Sequence, residues 1–395
     1  MALPSRFSNL RAAVATVLLA FVSAVAVYEL SCLWLPPSGT PFSFGLEWQR
    51  MSEDPFALRG QFPHRILSPL LAFCLGLGGG RFELFVRAEA VLLLAVAFLC
   101  CRRRAGLLDA LLVTLGVGAS GAVQMYKQCW VGYVDDLSYS LLLLAVLAAR
   151  RPVLFWSLWF LSLMNHEVAL FLLPWLWHRR RLEGGGGRSD AVLAAGALAA
   201  YAAFYVAVGA LAEERVYDAA FFARNHLFPY ATAWLWVLCL VQWLAAYGPL
   251  LVMLPTAWHG GAPRERQGML LAICGTLAVF SLAFDVTRHA NLLVLPLVTS
   301  ATALLARGRR ILVAALVAGA VLQSIWLSPW TASSWPMGYF LKAMANSGVY
   351  ADYRRIPTHL IPAVWPSLLL VAAAAAAVHG AGFWIARSGR PASGR

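Results

Sequence analysis

The side chains able to do chemistry come in short clusters, most of them where one apolar run gives way to the next. Glu53 and Asp54 stand side by side ahead of Pro55, and His64-Arg65 follows. Lys127 precedes the pair Asp135-Asp136, and Asn165-His166-Glu167 interrupts an otherwise apolar stretch. Further on, Arg224 lies near His226, and Asp285 is followed by Arg288 and His289. Carboxylates beside imidazoles suit general-base work on a hydroxyl. Guanidinium and ammonium groups near them suit a substrate that carries phosphate. Each cluster also has a plainer use. Glu53-Asp54 makes a solvated loop pair, and Asp135-Asp136 in a first helical turn complements the helix dipole. Arg65 can anchor to lipid headgroups by its long stem. Glu167 with a nearby Arg makes a structural tie, and Asp285 with Arg288 and His289 makes a loop salt bridge.

The elements that must carry these clusters are membrane helices. The chain has 395 residues, of which 61% are hydrophobic and 12% charged, about half the charge of an ordinary soluble domain. That balance excludes a secreted disulfide scaffold, a disordered chain and a cytosolic enzyme, and points to an all-α polytopic membrane bundle. Apolar runs at 12–35, 82–100, 106–125, 135–149, 190–211, 231–256, 269–284, 290–306, 311–327 and 362–386 are the spans, ten in number. Residues 1–395 form a single membrane domain, with 36–63 and 328–361 as its longest non-apolar pieces.

The net charge of +13 has a topological reading. Arg102–Arg104, Arg150-Arg151, Arg179–Arg181, Arg264/Arg266, Arg307/Arg309/Arg310 and Arg387/Arg390 punctuate the apolar runs. Such clusters mark the cytoplasmic side. With both termini inside, 19 of the 31 basic residues lie inside and 14 of the 18 acids lie outside. The positive excess is then a matter of orientation, and no nucleic-acid partner is implied.

Two segments shape this topology. Residues 64–80 are too short to cross and are expected as a juxtamembrane or re-entrant helix at the outer face. Residues 152–177 carry basic clusters at both ends, so an even number of crossings is needed. Twenty-six residues cannot make two full spans. A pair of short helices dipping into the bilayer, with Asn165-His166-Glu167 at the apex, satisfies both conditions. The alternative is one span with Arg179–Arg181 outside.

Two further motifs stand out in the sequence. Gly118-Ala119-Ser120-Gly121 resembles the GxSG nucleophile motif of rhomboid intramembrane proteases, and His379-Gly380-Ala381-Gly382 resembles their HxxG. The topology puts Ser120 near the outer end of its helix and His379 near the inner end of its own, so the pair should not meet. The seven cysteines show no CxxC and no Cys/His spacing for zinc.

The order of these features resembles the GT-C class of membrane glycosyltransferases. Glu53-Asp54 matches the acidic pair of that class's first outer loop, and 64–80 matches a juxtamembrane helix in that loop. Asp135-Asp136 matches a second acidic position, and the resemblance covers about residues 1–210. It implies a GT-C-like bundle in which 211–395 adds further helices. It also implies transfer of a sugar from a polyprenyl-phosphate donor to a glycan, lipid or protein acceptor at the outer face. Glu53 or Asp54 would be the general base. His64, Arg65, Lys127, Asp135, Asp136, Asn165, His166, Glu167, Arg224, Asp285, Arg288 and His289 would hold substrate or a divalent metal. Where the class usually has Lys or Arg near the hairpin apex, this chain has Asn165-His166-Glu167. No resident cofactor or dedicated metal site is read from the sequence. The short loops and lack of targeting extensions suggest a bacterial cytoplasmic membrane. A transporter or lipid-intermediate flippase, and a polysaccharide polymerase or ligase using Asp352, Arg354 and Arg355, are the competing readings.

Overall fold

A computed structural model describes residues 4–37, 44–58, 62–128, 131–212, 243–244, 246–280, 290–326 and 361–388. Those residues are predominantly helical, and none of them forms a strand. The helices are α1 (Pro4–Trp34), α2 (Phe44–Met51), α3 (Leu67–Cys74), α4 (Phe82–Arg102), α5 (Leu107–Ala119), α6 (Gly121–Gln128), α7 (Asp135–Leu147) and α8 (Pro152–Asn165). They continue with α9 (Leu173–Leu182), α10 (Arg188–Leu211), α11 (Met253–Gly260), α12 (Pro263–Phe280), α13 (Val294–Ala306), α14 (Arg310–Trp326) and α15 (Ile361–Ser388).

Among the described residues three stretches are long and apolar enough to cross a membrane: Leu10–Leu33, Gly79–Arg102 and Arg188–Leu211. Apolar helices of this length associate the chain with a membrane. The α4 window is 61% buried, against 22% for α1 and 17% for α10. Helix α4 is therefore the central strut, and α1 and α10 turn apolar faces such as Leu33 and Val206 outward.

The expected ten spans appear only in part among the described residues, because continuous hydropathy does not guarantee a continuous helix. The 106–125 run breaks at Ser120, whose backbone is extended, and α5 and α6 meet at 43°. If they count as one span, the number rises to four. The 135–149 run yields only 13 helical residues in α7, and α13 is also 13 residues long. Helix α14 has 17 residues, short of the roughly 20 that a full crossing needs. Half of the 231–256 run lies outside the described residues.

Residues 152–177 do fold back. Helix α8 stops at Asn165, His166 is extended, and a 3-10 turn (Glu167–Leu172) leads into α9. The ends meet: Arg150 Nε donates to Glu183 Oε2 at 2.9 Å, and Arg180 Nη1 donates to the Ala149 carbonyl. Nearer the tip, Trp159 Nε1 donates to the Ala169 carbonyl at 3.0 Å. The segment is a hairpin of two short helices with Asn165-His166-Glu167 at its apex.

The expected basic clusters between Arg102 and Arg310 gather at the opposite end of the bundle from that apex, while Arg390 lies outside the described residues. Arg103 donates to the Leu147 carbonyl, Arg104 faces Glu183, and His178 Nε2 lies 2.8 Å from the Arg264 carbonyl. Arg307 pairs with Glu265, and Arg310 Nε with Asp109 Oδ1 at 2.5 Å. The connections from α4 to α5, α7 to α8, α9 to α10, α11 to α12 and α13 to α14 are thus tied together at one end.

Candidate functional site

The hairpin apex is anchored by Asn165, which is fully buried. Its Nδ2 donates to the Val134 carbonyl (2.6 Å) and to Ser138 Oγ (2.9 Å). Its Oδ1 accepts from the Ser68 amide (3.2 Å) and lies 2.7 Å from Ser68 Oγ. All four amide bonding positions are used, and one side chain thereby joins α8 to α3 and to the start of α7. Ser68 Oγ also lies within hydrogen-bond distance of Glu89 Oε1, which brings in α4.

Beside Asn165 runs a line of charged and titratable groups. Arg65 is buried and grips Glu167 as a fork, Nε to Oε2 at 2.9 Å and Nη2 to Oε1. Its guanidinium carbon lies 4.1 Å from the centre of the Phe62 ring. His64 Nε2 approaches Glu167 Oε2 at 3.5 Å, and its ring rests on Tyr205 of α10. The Val168 amide donates to His166 Nδ1 at 3.3 Å, so Nε2 carries the proton that faces Asp135 Oδ1 at 3.4 Å. The fork closes over Arg65, and the line Arg65–Glu167–His166–Asp135 is a set of mutual partners.

The second arrangement is a small, partly open cavity. Tyr28 of α1, Glu83 and Arg87 of α4, Tyr126 and Lys127 of α6, and Asp136 of α7 line it. Lys127 Nζ donates to Ser31 Oγ at 2.7 Å and sits 5.3 Å from the centre of the Tyr28 ring. Arg87 Nη2 donates to Glu83 Oε1 at 2.6 Å, one helical turn away, while Arg87 Nε has no partner. Asp136 is 1% exposed, and neither of its carboxylate oxygens has a hydrogen-bond partner. Native proteins seldom leave a buried carboxylate in that state.

Glu53 and Asp54 lie outside both arrangements, on exposed chain just after α2. That chain is fixed to the cavity wall at two points. Gly45 of α2 packs on Val131 and Gly132, with Trp48 edge-on to Tyr133 at 5.0 Å. Val131 and Gly132 themselves line the cavity. Ser52 Oγ accepts from the Gly79 amide at 2.9 Å. A Cβ on Gly79 would lie 2.8 Å from Glu53 Oε1, and its φ of +59° also favours glycine. The next turns of chain carry Glu83 and Arg87. The acidic pair is therefore held at the cavity's border.

Of the residues expected to act together, His64, Arg65, Asp135, Asn165, His166 and Glu167 meet at the hairpin apex. Lys127 and Asp136 meet in the cavity. Arg224, Asp285, Arg288 and His289 lie outside the described residues. Sequence reasoning missed Glu83, Arg87 and Glu89. The available signal was three ionisable residues inside a run otherwise apolar enough to span. Among the described residues no group of three or more His, Cys, Asp and Glu side chains is placed to hold a metal. The protease-like motif has a structural use: Ser120 Oγ is buried and donates to the Val117 carbonyl at 2.7 Å, while His379 packs against His259.

No protein-family model matches the chain, and neither the characterised proteins nor the solved structures compared with it include a match.

Proposed function

We propose that this chain is a GT-C-like membrane glycosyltransferase, moving a sugar from a polyprenyl-phosphate donor to an acceptor hydroxyl at the outer face of a bacterial cytoplasmic membrane. In this reading the bundle makes about ten crossings, both termini are cytoplasmic, and 152–177 dips in from the cytoplasmic side. The observation that carries the proposal is the sorting of polar groups. The basic connections are tied together at one end. The other end holds a cavity with unpaired acid and cation atoms, bordered by an exposed acidic pair.

Glu53 or Asp54 takes the proton of the acceptor hydroxyl. The acceptor oxygen attacks the anomeric carbon, the bond from that carbon to the phosphate oxygen breaks, and polyprenyl phosphate leaves with the electron pair. The configuration at that carbon inverts. Lys127 and Arg87 hold the phosphate and stabilise its developing charge. Arg65, first expected as a phosphate ligand, has its fork filled by Glu167. Its role here is to hold the hairpin apex against the loop that carries α3.

A flippase would need polar side chains continuing from one end to the other. Between α5, α11, α13 and α14 the packing space of about 340 Å³ is lined by Val113, Val117, Leu297, Val298, Val313 and similar residues, which favours the transferase. The test is sugar transfer from a lipid-linked donor in membranes carrying Asp54→Asn or Glu53→Gln. Loss of about a hundredfold in at least one is expected for a general base. Full activity in both would sink the assignment.

A further inference from the structure

We infer that Asp136 is the carboxylate that grips the hydroxyls of the transferred sugar, so that the cavity takes a glycosyl phosphate with its sugar end at α7 and its phosphate end at Lys127 and Arg87. This rests on the transferase reading and adds the orientation of the donor within the site. The reasoning starts from an uncompensated group. Asp136 is buried to 1% exposure with both oxygens unpartnered. A carboxylate removed from water keeps a strong demand for hydrogen-bond donors.

Its cavity neighbours do not meet that demand. Lys127 turns to Ser31, Arg87 turns to Glu83, and the Ser140 hydroxyl donates to the Asp136 backbone carbonyl rather than to its side chain. The nearby acids Asp135 and Glu89 give Asp136 no hydrogen bond either. The missing partner must therefore supply protons. A phosphate at the working pH supplies none and is repelled. A vicinal diol supplies two, in the geometry that the two oxygens of one carboxylate accept.

The remaining walls fit the same ligand. Arg87 Nε is a second buried group without a partner, and it is a donor suited to an anionic oxygen. Lys127 adds a point charge. Tyr28 and Tyr126 line the same cavity and add aromatic surface to its wall. Cations on α4 and α6 and an acid on α7 impose one orientation, because the phosphate cannot settle against Asp136.

The experiment uses the full chain in lipid nanodiscs and a short-chain prenyl phosphate, bare and as its glucosyl, mannosyl, galactosyl and arabinosyl esters. Titration calorimetry gives each affinity. The wild type should bind at least one sugar ester about tenfold or more tightly than the bare phosphate, as hydrogen bonds to a charged group allow. Asp136→Asn should bring that preference down to about twofold or less, with the bare phosphate bound as well as before. Lys127→Met should weaken the bare phosphate and the esters together.

The inference is overturned if the wild type binds bare and glycosylated forms alike, or if Asp136→Asn keeps the preference. Equal weakening of all ligands by Asp136→Asn would also overturn it, marking a structural role. The transferase reading fails separately, if wild-type membranes transfer no sugar and Lys127→Met binds prenyl phosphate as the wild type does. Thermal unfolding of each variant in the same nanodiscs separates loss of fold from loss of binding.

Discussion

The two ends of the bundle handle charge in opposite ways. At the basic end the acids are matched. Asp190 accepts from Arg180 Nε and Nη2, from Trp156 Nε1 at 2.8 Å and from the Gly186 amide. Asp109 takes both arms of Arg310, Glu183 lies between Arg104 and Arg150, and Glu265 meets Arg307. At the other end Arg65, Glu167, His166 and Asn165 are matched at the hairpin apex, yet Glu89 Oε2 beside them, Asp136 and one nitrogen of Arg87 have no partners. Fully paired charges hold helices in place and leave nothing for a ligand. Unpaired buried charges destabilise the fold, and are tolerated where a ligand completes them.

Breaking the matched end should therefore give the largest loss of stability. Asp190→Ala leaves the buried Arg180 guanidinium facing only the Ala149 carbonyl. Stripping one partner from a buried pair costs about 3–5 kcal/mol. Thermal unfolding of the detergent-purified chain, followed by tryptophan emission, should show a markedly earlier transition. An unchanged transition would mean that the tie at α9 and α10 does not hold the hairpin.

The hairpin apex should come next. Asn165→Leu fills the space but abandons the Ser68 amide, the Val134 carbonyl and Ser138 Oγ, at about 2–3 kcal/mol after partial rearrangement. The measurable sign is faster proteolysis at 166–172 in detergent. Protection equal to wild type would show that packing alone fixes the apex.

How far the sequence disclosed this contrast depends on the range of each interaction. The basic end was legible because charge clusters between apolar runs act through the membrane itself, one connection at a time. The hairpin followed from two basic clusters and too few residues between them. The partners at the apex were not legible, since Arg65 and Glu167 are 102 positions apart and nothing local pairs them. Among the described residues only three or four of the ten expected spans are long, continuous helices. Hydropathy does not register the extended Ser120 or the early end of α7 at Leu147. Arg87 and Glu83 were passed over because their run averages as apolar. Asp136 was picked out by type and spacing alone, while its unpaired state depends on four helices meeting.

The sharpest test of the contrast is a substitution that should cost almost nothing. Asp136→Asn removes a buried charge that no protein group compensates, so the ligand-free chain should unfold within about 1 kcal/mol of wild type or later. The same change at Asp190 leaves a cation stranded and should be clearly harmful. Unfolding curves for both Asn variants, recorded side by side in ligand-free detergent, decide the matter. A large loss at Asp136 would mean that this carboxylate is part of the scaffold after all.

The smallest effect should come from pH at the basic end. Glu183 lies in the link between α9 and α10, and its hydrogen bond from Arg150 holds its carboxyl below the usual glutamate range. A carboxyl lowered in the folded state stabilises the fold above its unfolded pKa, about 4.3. That contribution is lost as the pH falls from there through the lowered folded value. Arg150 is largely exposed, so solvent screens the pair and its worth is at most about 0.5 kcal/mol. Stability of wild type and Glu183→Gln should therefore differ slightly at pH 7 and converge toward pH 3. A gap that stays constant over this range would show that Glu183 contributes by shape and packing, with its charge playing no part.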